Sequence, residues 1–196
     1  MYERRRESLT SGGIRLEVWT AWGLAEFDSL GFASELVAEA LLRLGGPPPG
    51  TAVVVNPGQG VVPALLWAAL HPGEVRLVDR DLLALRVSRS NLVANGCPPD
   101  RVAVRHRADL EPGGARGTDL AVAVLRPKEP PASAAATAGQ LLAELRPGGR
   151  LVLGASSTAV TRCLAALEAG RLRFATVQRR RRRGFSAVVL ERPAAG

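Results

Sequence analysis

A short glycine-containing segment, Asn56-Pro57-Gly58-Gln59-Gly60, lies between a run of β-branched residues and an apolar run of helical length. Gly58 and Gly60 allow the backbone to turn tightly and to approach a ligand, while the first turn of the following helix offers free N–H groups. Any strand-to-helix turn can use glycines, but this placement is typical of nucleotide-like cofactor sites. We therefore expect Asn56, Gly58 and Gly60 to contact a cofactor.

Two aspartates follow later strand-like segments at positions that suit an adenosine group. Asp79 ends the second strand-like segment, where a carboxylate can accept from both hydroxyls of a ribose. It could instead cap the helix that follows, although Asp81 is better placed for that role. Asp109 follows the third strand-like segment and could accept from an adenine amino group, or it could be an ordinary loop residue.

The most basic segment is an unbroken run of five arginines, Arg179, Arg180, Arg181, Arg182 and Arg183. Such runs are usually solvated, but this one is flanked by strand-like residues 172–177 and 185–191. A connection over residues 178–184 is too short for a crossover, so we expect an antiparallel hairpin with the arginines at its tip. Guanidinium groups bind phosphates and stack on bases, so a tip beside the ligand entrance would bind RNA.

The composition limits the class of protein. The net charge of +8 suits a polyanionic partner, although Lys128 is the only lysine, and arginine-rich coding in a GC-rich genome would give the same bias. No apolar run approaches the ~18 residues of a membrane span, and the charged N-terminus lacks the apolar stretch of a secretory signal. Cys97 and Cys163 fit neither a disulfide framework nor a zinc site, which is typical of a cytoplasmic protein.

No catalytic group can be assigned from residue types and spacing. The sequence contains no recognisable Ser-His-Asp set, pair of catalytic carboxylates or metal-ligand cluster, and His71 and His106 are isolated. A nicotinamide-dependent dehydrogenase would share the strand–glycine–helix–acid layout. Pro63 stands at its third glycine position, however, and there is no Tyr-x-x-x-Lys pair, so this alternative is disfavoured.

Alternating strand-like and helix-like segments are expected to position these residues. They predict an α/β fold with a doubly wound, mostly parallel seven-stranded Rossmann-like sheet and an antiparallel C-terminal hairpin. Residues 1–30 are expected to form an N-terminal arm and lid, the first dozen residues being a polar arm, and residues 31–196 form one domain. The predicted strands are 51–55, 74–78, 101–105, 119–125, 150–154, 172–177 and 185–191, and the predicted helices are 30–44, 61–70, 81–94, 133–145 and 158–169.

Three pieces of the chain resemble the ribosomal RNA guanine-N2 methyltransferases of the RsmC/RlmG type. They are the glycine loop, the segment Val75-Arg76-Leu77-Val78-Asp79, and residues 85–96, which end in Asn91-Leu92-Val93-Ala94-Asn95-Gly96. Phe27, Asp28 and Leu30 also resemble the segment that leads into the catalytic domain in this family. The resemblance extends roughly over residues 23–193.

This resemblance implies a class I methyltransferase fold, with the last strand inserted antiparallel beside the fifth, and S-adenosylmethionine as cofactor. It also implies that Gly58 and Gly60 face the methionine end, Asp79 the ribose and Asp109 the adenine. Two positions depart from the family. Asn56 stands where an acidic residue is usual, and residues 124–129 replace the Asn-Pro-Pro-Phe/Tyr motif whose asparagine accepts from the target amine.

The sequence therefore leaves three functions open. The first is an S-adenosylmethionine-dependent methyltransferase acting on RNA, with a ribosomal guanine amino group as acceptor. The second is a non-catalytic relative that serves RNA binding or assembly, because residues 124–129 resemble the degenerate N-terminal half of two-domain family members. The third is a methyltransferase for a small molecule or a protein. The oligomeric state is not predicted.

Overall fold

The computed structural model describes residues 4–107 and 117–194. Seven strands form one sheet in the order β5-β4-β3-β6-β7-β9-β8, and β1 and β2 form a separate hairpin. The strands from β3 to β7 are parallel, whereas β9 is antiparallel to β7 and β8 is antiparallel to β9. This arrangement confirms the predicted mostly parallel Rossmann-like sheet with its antiparallel C-terminal hairpin.

The elements have the following bounds. The strands are β1 Arg4–Ser11, β2 Ile14–Ala21, β3 Thr51–Val55, β4 Glu74–Asp79, β5 Val102–His106, β6 Thr118–Val124, β7 Leu145–Ser156, β8 Ala175–Arg182 and β9 Phe185–Glu191. The helices are α1 Phe32–Leu41, α2 Val61–Leu70, α3 Leu82–Ala94, α4 Pro131–Glu144 and α5 Ser157–Ala169, with a 3₁₀ turn at Pro99–Arg101.

The central strands of the sheet are buried on both faces, which explains the continuous apolar run of β3. Because side chains of a strand alternate between faces, Ala52 and Val54 pack with α1, α2 and α3, while Val53 and Val55 pack with α4 and α5. Parallel strands must be joined by crossovers, so their carboxyl ends and the helix N-termini that follow meet at one edge of the sheet. That edge carries the candidate site.

The N-terminal residues form a β-hairpin, which the sequence did not predict. β1 and β2 pair in register from Arg4 with Ala21 to Ser11 with Ile14. Leu16 and Val18 of β2 are buried against α1 and α2. The polar and charged residues of β1 carry no strand signal, and the helices on which β2 packs are distant in sequence.

The C-terminal hairpin is tighter than predicted. β8 continues through Arg182, and a two-residue turn, Arg183-Gly184, joins it to β9. Both turn residues have positive φ, 48° and 80°, as a type I′ hairpin turn requires. The prediction that all five arginines lie at the tip is therefore wrong: Arg179, Arg180, Arg181 and Arg182 belong to the edge strand. Arginine is not typical of the first turn position, so the two-residue turn could not be distinguished from a longer connection.

Candidate active site

A cavity of about 900 Å³ opens at the carboxyl ends of the parallel strands. Its wall includes the glycine loop after β3, the end of β4, the turn after β6 and the start of α1. The lining surface is mostly apolar, and its polar side chains include Glu26, Asn56, Asp79 and Arg126. Cavities of this size at this edge of an α/β sheet hold nucleotide-like ligands.

The two glycines of the loop have different surroundings. Gly58 has a φ of +56° and lines the cavity, and a Cβ atom there would have nothing within 4 Å. Gly60 has a φ of +83°, and a Cβ there would come within 2.6 Å of Ser88 Cα on α3. Gly58 thus leaves room for a ligand, whereas Gly60 allows the loop to lie against α3.

Asn56 lines the cavity but is also tied to the strands beside it. Its backbone N–H donates to the Val78 carbonyl (3.0 Å), and its side-chain amide donates to the Val124 carbonyl (3.1 Å). It therefore bridges the ends of β4 and β6 and adopts a φ of 55°. A neutral amide here holds the loop in place and brings no negative charge to the cavity.

Gln59, which sequence analysis did not single out, fixes the cavity wall. Its side chain is buried, accepts from the Ala21 N–H (2.9 Å) and donates to the carbonyls of Ala21 (3.1 Å) and Ala25 (3.1 Å). These bonds join the glycine loop to the segment between β2 and α1. A polar residue between two glycines gave no hint of this role, because its partners lie in the hairpin that was not predicted.

Asp79 lies in the cavity wall with a side chain that is 2% exposed. Its Oδ1 accepts from the Asp81 N–H (2.9 Å) and is paired with the guanidinium of Arg126. Asp81 caps α3 by accepting from the N–H groups of Leu83 (2.8 Å) and Ala84 (3.3 Å). The structure thus gives the capping role to Asp81 and leaves Asp79 facing the cavity.

A second carboxyl, the half-buried Glu26, contacts the start of α1. Its Oε1 accepts from the Ser34 hydroxyl (2.7 Å) and the Gly31 N–H (3.1 Å), so it satisfies donors at the helix N-terminus. Burial raises the pKa of Glu26, and the bonds from Ser34 and Gly31 offset part of that rise. Glu26 could not be recognised as a capping residue from the sequence, because it does not stand directly before α1, where capping residues usually lie.

The turn after β6 holds Arg126, Lys128 and Glu129, all of which line the cavity. The Arg126 N–H donates to Glu129 Oε2 (3.1 Å), and the Ser133 hydroxyl donates to Glu129 Oε1 (3.0 Å). Both carboxylate oxygens of Glu129 therefore accept bonds that shape this turn. Arg162 of α5 adds a further cation to the cavity lining.

The arginines of β8 divide between the two faces of the sheet edge. Arg180 and Arg182 form ion pairs with Glu39 of α1 at 3.3 Å and 2.7 Å, and Arg182 also pairs with Glu35 at 2.7 Å. On the opposite face Arg179 donates to the hydroxyl of Thr161 on α5 (2.9 Å). By strand alternation Arg181 shares the face of Arg179.

The last arginine of the run reaches the cavity wall. The guanidinium carbon of Arg183 lies 5.1 Å from the ring centroid of Phe32, whose ring lies 5.7 Å from that of Phe185. Both phenylalanines line the cavity. β8 runs in the direction of β7, so the run ends at the cavity edge of the sheet, as predicted for its direction.

Other chemistry is limited in the described part of the chain. Asp109 lies outside the residues that the structure describes. Residues 4–107 and 117–194 contain no group of three or more His, Cys, Asp or Glu side chains that could hold a metal ion.

Cys97 and Cys163 are buried, and burial raises the pKa of each thiol to about 11. None of the described helices is long and apolar enough to cross a membrane.

The same fold occurs in solved methyltransferase structures. The ribosomal protein L11 methylase from Lactobacillus delbrueckii subsp. bulgaricus superposes with a TM-score of 0.69 at 18% identity, over 82% of this chain and 78% of that chain. The N-methyltransferase NodS from Bradyrhizobium japonicum WM9, solved with S-adenosyl-L-homocysteine, gives 0.63 at 14% identity, over 80% and 85%.

The 16S rRNA N2 G1207 methyltransferase RsmC of T. thermophilus, solved with AdoMet and guanosine, superposes with a TM-score of 0.59 at 23% identity. The match covers 96% of this chain and 45% of that chain. No protein-family model and no curated protein sequence matches the chain. The chain thus has the Rossmann-like fold of the class I methyltransferases, and these similarities define its fold class.

Proposed function

We propose that this protein is an S-adenosylmethionine-dependent methyltransferase that acts on RNA, with a ribosomal guanine amino group as acceptor. The observation that supports it most is that Gly58 and Asp79 face one cavity from the ends of adjacent strands. The open space at Gly58 suits the close approach of a cofactor, and the Asp79 carboxylate suits a ribose diol. The bound cofactor would supply an electrophilic methyl group.

The chain's own residues would bind and orient the two reactants. The glycine loop and Asp79 hold the cofactor side, while Phe32, Phe185 and Arg183 form an aromatic and cationic wall on the acceptor side. Such a wall suits a nucleic acid, because bases stack on aromatic rings and phosphates pair with guanidinium groups. In-line placement of amine and sulfonium is the main requirement of methyl transfer, and no described residue is assigned as a base.

Calorimetry with S-adenosylhomocysteine tests the cofactor half of the proposal. We expect measurable binding to the wild-type chain and binding about tenfold weaker to Asp79→Ala, because a buried ribose diol loses its acceptor at a cost of about 1–3 kcal/mol. Asp100→Ala is the matched control, since Asp100 lies in the distant 3₁₀ turn. No binding to the wild type at millimolar ligand would refute the proposal.

A second candidate function, RNA binding without turnover, is supported by the turn at residues 124–129. In place of an asparagine that would accept from an amine, the turn presents Arg126, whose guanidinium is paired with Asp79. We therefore expect slow or absent methylation of naked ribosomal RNA by the isolated chain. Tritium transfer from labelled S-adenosylmethionine measures this, and robust labelling of a guanine amino group would favour the catalytic function.

A further inference from the structure

The ion pair between Asp79 and Arg126 crosses the candidate cofactor site. Asp79 ends β4 and Arg126 follows β6, and β3 lies between these two strands in the sheet. The loop that leaves β3 carries Gly58, and all three residues line the same cavity. The Arg126 side chain therefore reaches over the end of β3 to a carboxylate on the far side of the glycine loop.

This contact occupies the group that a ribose needs. Asp79 Oδ1 already accepts from the Asp81 N–H and from Arg126, and the side chain is 2% exposed. Breaking a charge-assisted hydrogen bond to a buried carboxylate is costly unless another donor replaces it. The hydroxyls of a ribose are donors of the required kind, so a ribose diol that takes both oxygens of the Asp79 carboxylate competes with the guanidinium for Oδ1.

The arginine is free to leave while its backbone stays in place. Its side chain is 29% exposed, so its guanidinium can move into solvent or towards the acceptor half of the cavity. Its N–H is held by Glu129 and its carbonyl accepts from the Glu129 N–H at 3.2 Å. Rotation of the side chain alone can therefore open the ribose position.

On the basis of the proposed function, we propose that Arg126 competes with the cofactor: its guanidinium pairs with Asp79 and must release it before the adenosyl group binds. Part of the binding free energy of the cofactor is spent on displacing this guanidinium. The arginine thus sets cofactor affinity by opposing it, unlike a residue that contacts the ligand directly. Its removal should strengthen binding.

Calorimetric titration with S-adenosylhomocysteine tests this directly, because that ligand lacks the sulfonium charge that any nearby cation would repel. We expect Arg126→Ala to bind about tenfold more tightly than the wild type. Arg162→Ala removes a different cation from the same cavity and should change affinity by less than about twofold. Arg126→Lys, which keeps the charge on a shorter side chain with one donor group, should give an intermediate affinity.

A double-mutant cycle separates release of Asp79 from general effects on the cavity. In the Asp79→Ala background there is no ion pair to break, so adding Arg126→Ala should no longer tighten binding. Thermal unfolding of each variant confirms that it is folded. A crystal structure of the complex should show the ribose on Asp79 and the Arg126 guanidinium displaced.

The outcomes distinguish this proposal from the proposed function. If no Arg126 variant binds more tightly than the wild type, competition is overturned and cofactor binding still stands. A gain that persists in the Asp79→Ala background would also overturn it. Binding by Arg126→Ala alone would refute the proposed function of the unaltered chain while showing that the arginine blocks the site, and binding by neither protein would overturn both proposals.

Discussion

The side-chain amide of Asn91 pairs with both backbone polar groups of Trp19: its Oδ1 accepts from the Trp19 N–H and its Nδ2 donates to the Trp19 carbonyl, each at 2.8 Å. Asn95 makes the same pair of bonds with Glu17, and Gln59 makes it with Ala21. Three side-chain amides thus satisfy alternate residues of β2, as a neighbouring strand would. They fasten the N-terminal hairpin to the core.

We expect Asn91→Ala to lower the free energy of unfolding by about 3 kcal/mol, because the Trp19 N–H and carbonyl and the Gln59 carbonyl lose their partner in a buried place. Urea denaturation measures the change. Asn95→Ala is the comparison, since Asn95 is only partly buried and should cost less. If Asn91→Ala lowers the free energy of unfolding by less than about 0.5 kcal/mol, water must replace these hydrogen bonds.

Gly58→Ala and Gly60→Ala should differ in kind. At Gly60 an added Cβ meets the backbone of Ser88, so we expect a marked loss of stability. At Gly58 the methyl group points into open space, so the only cost to stability is the left-handed backbone conformation that alanine must adopt, about 1–2 kcal/mol. Thermal unfolding should therefore show a larger change for Gly60→Ala, and titration with S-adenosylhomocysteine should show weaker binding for Gly58→Ala. Equal loss of stability in both variants would contradict this.

Replacing all five arginines of residues 179–183 with serine should weaken RNA binding and flatten its salt dependence, while cofactor affinity barely changes. Each phosphate contact with a single strand contributes a slope of about −0.7 in log affinity against log salt. The structure refines this expectation, because Arg180 and Arg182 are engaged with Glu35 and Glu39.

One triple variant and one double variant test that refinement by filter binding to RNA at several salt concentrations. Serine at 179, 181 and 183 should account for most of the lost slope, whereas serine at 180 and 182 should mainly affect stability. An unchanged slope in the five-serine variant would show that the run makes no phosphate contacts.

Glu26→Gln should make the protein more stable at pH 7 and change little at pH 4. Burial raises the pKa of Glu26 above its ordinary 4.5, so the folded state binds the proton more tightly than the unfolded state. The resulting stability is complete below pH 4.5 and is lost as the pH rises through the folded-state pKa. The amide avoids that loss and can still accept from Ser34 and Gly31.

Thermal unfolding at the two pH values measures the effect, with Glu168→Gln on the exposed face of α5 as the control. Lower stability of Glu26→Gln at pH 7 would show instead that the charge of this carboxyl is needed at the N-terminus of α1.

The parts of the fold that could be predicted from sequence are those whose signal is local. β3 and α2 match their predicted bounds because a β-branched run and an apolar run are separated by a glycine loop. Asp81 was foreseen as a cap because the capping interaction spans only three residues. The direction of β8 followed from the length of its connection to β9.

The parts that could not be predicted depend on distant partners. The hairpin β1–β2 is held by amides from α3 and the glycine loop, and Arg126 meets Asp79 across a strand that lies between theirs. Asn91 did carry a signal, since it follows Ser88 and Val87 at helical spacing on the buried face of α3. Its partner could not be known before the hairpin was seen.

β8 is one of the two outer strands of the sheet, and among the residues that the structure describes no other strand covers the backbone groups of its outer edge. A second copy of the chain could in principle add to that edge and begin a continuous aggregate. Antiparallel addition along residues 179–182 would place arginines opposite arginines, and like charges at such short range repel. The basic run therefore protects the protein against growth of its own sheet, whether or not it also binds RNA.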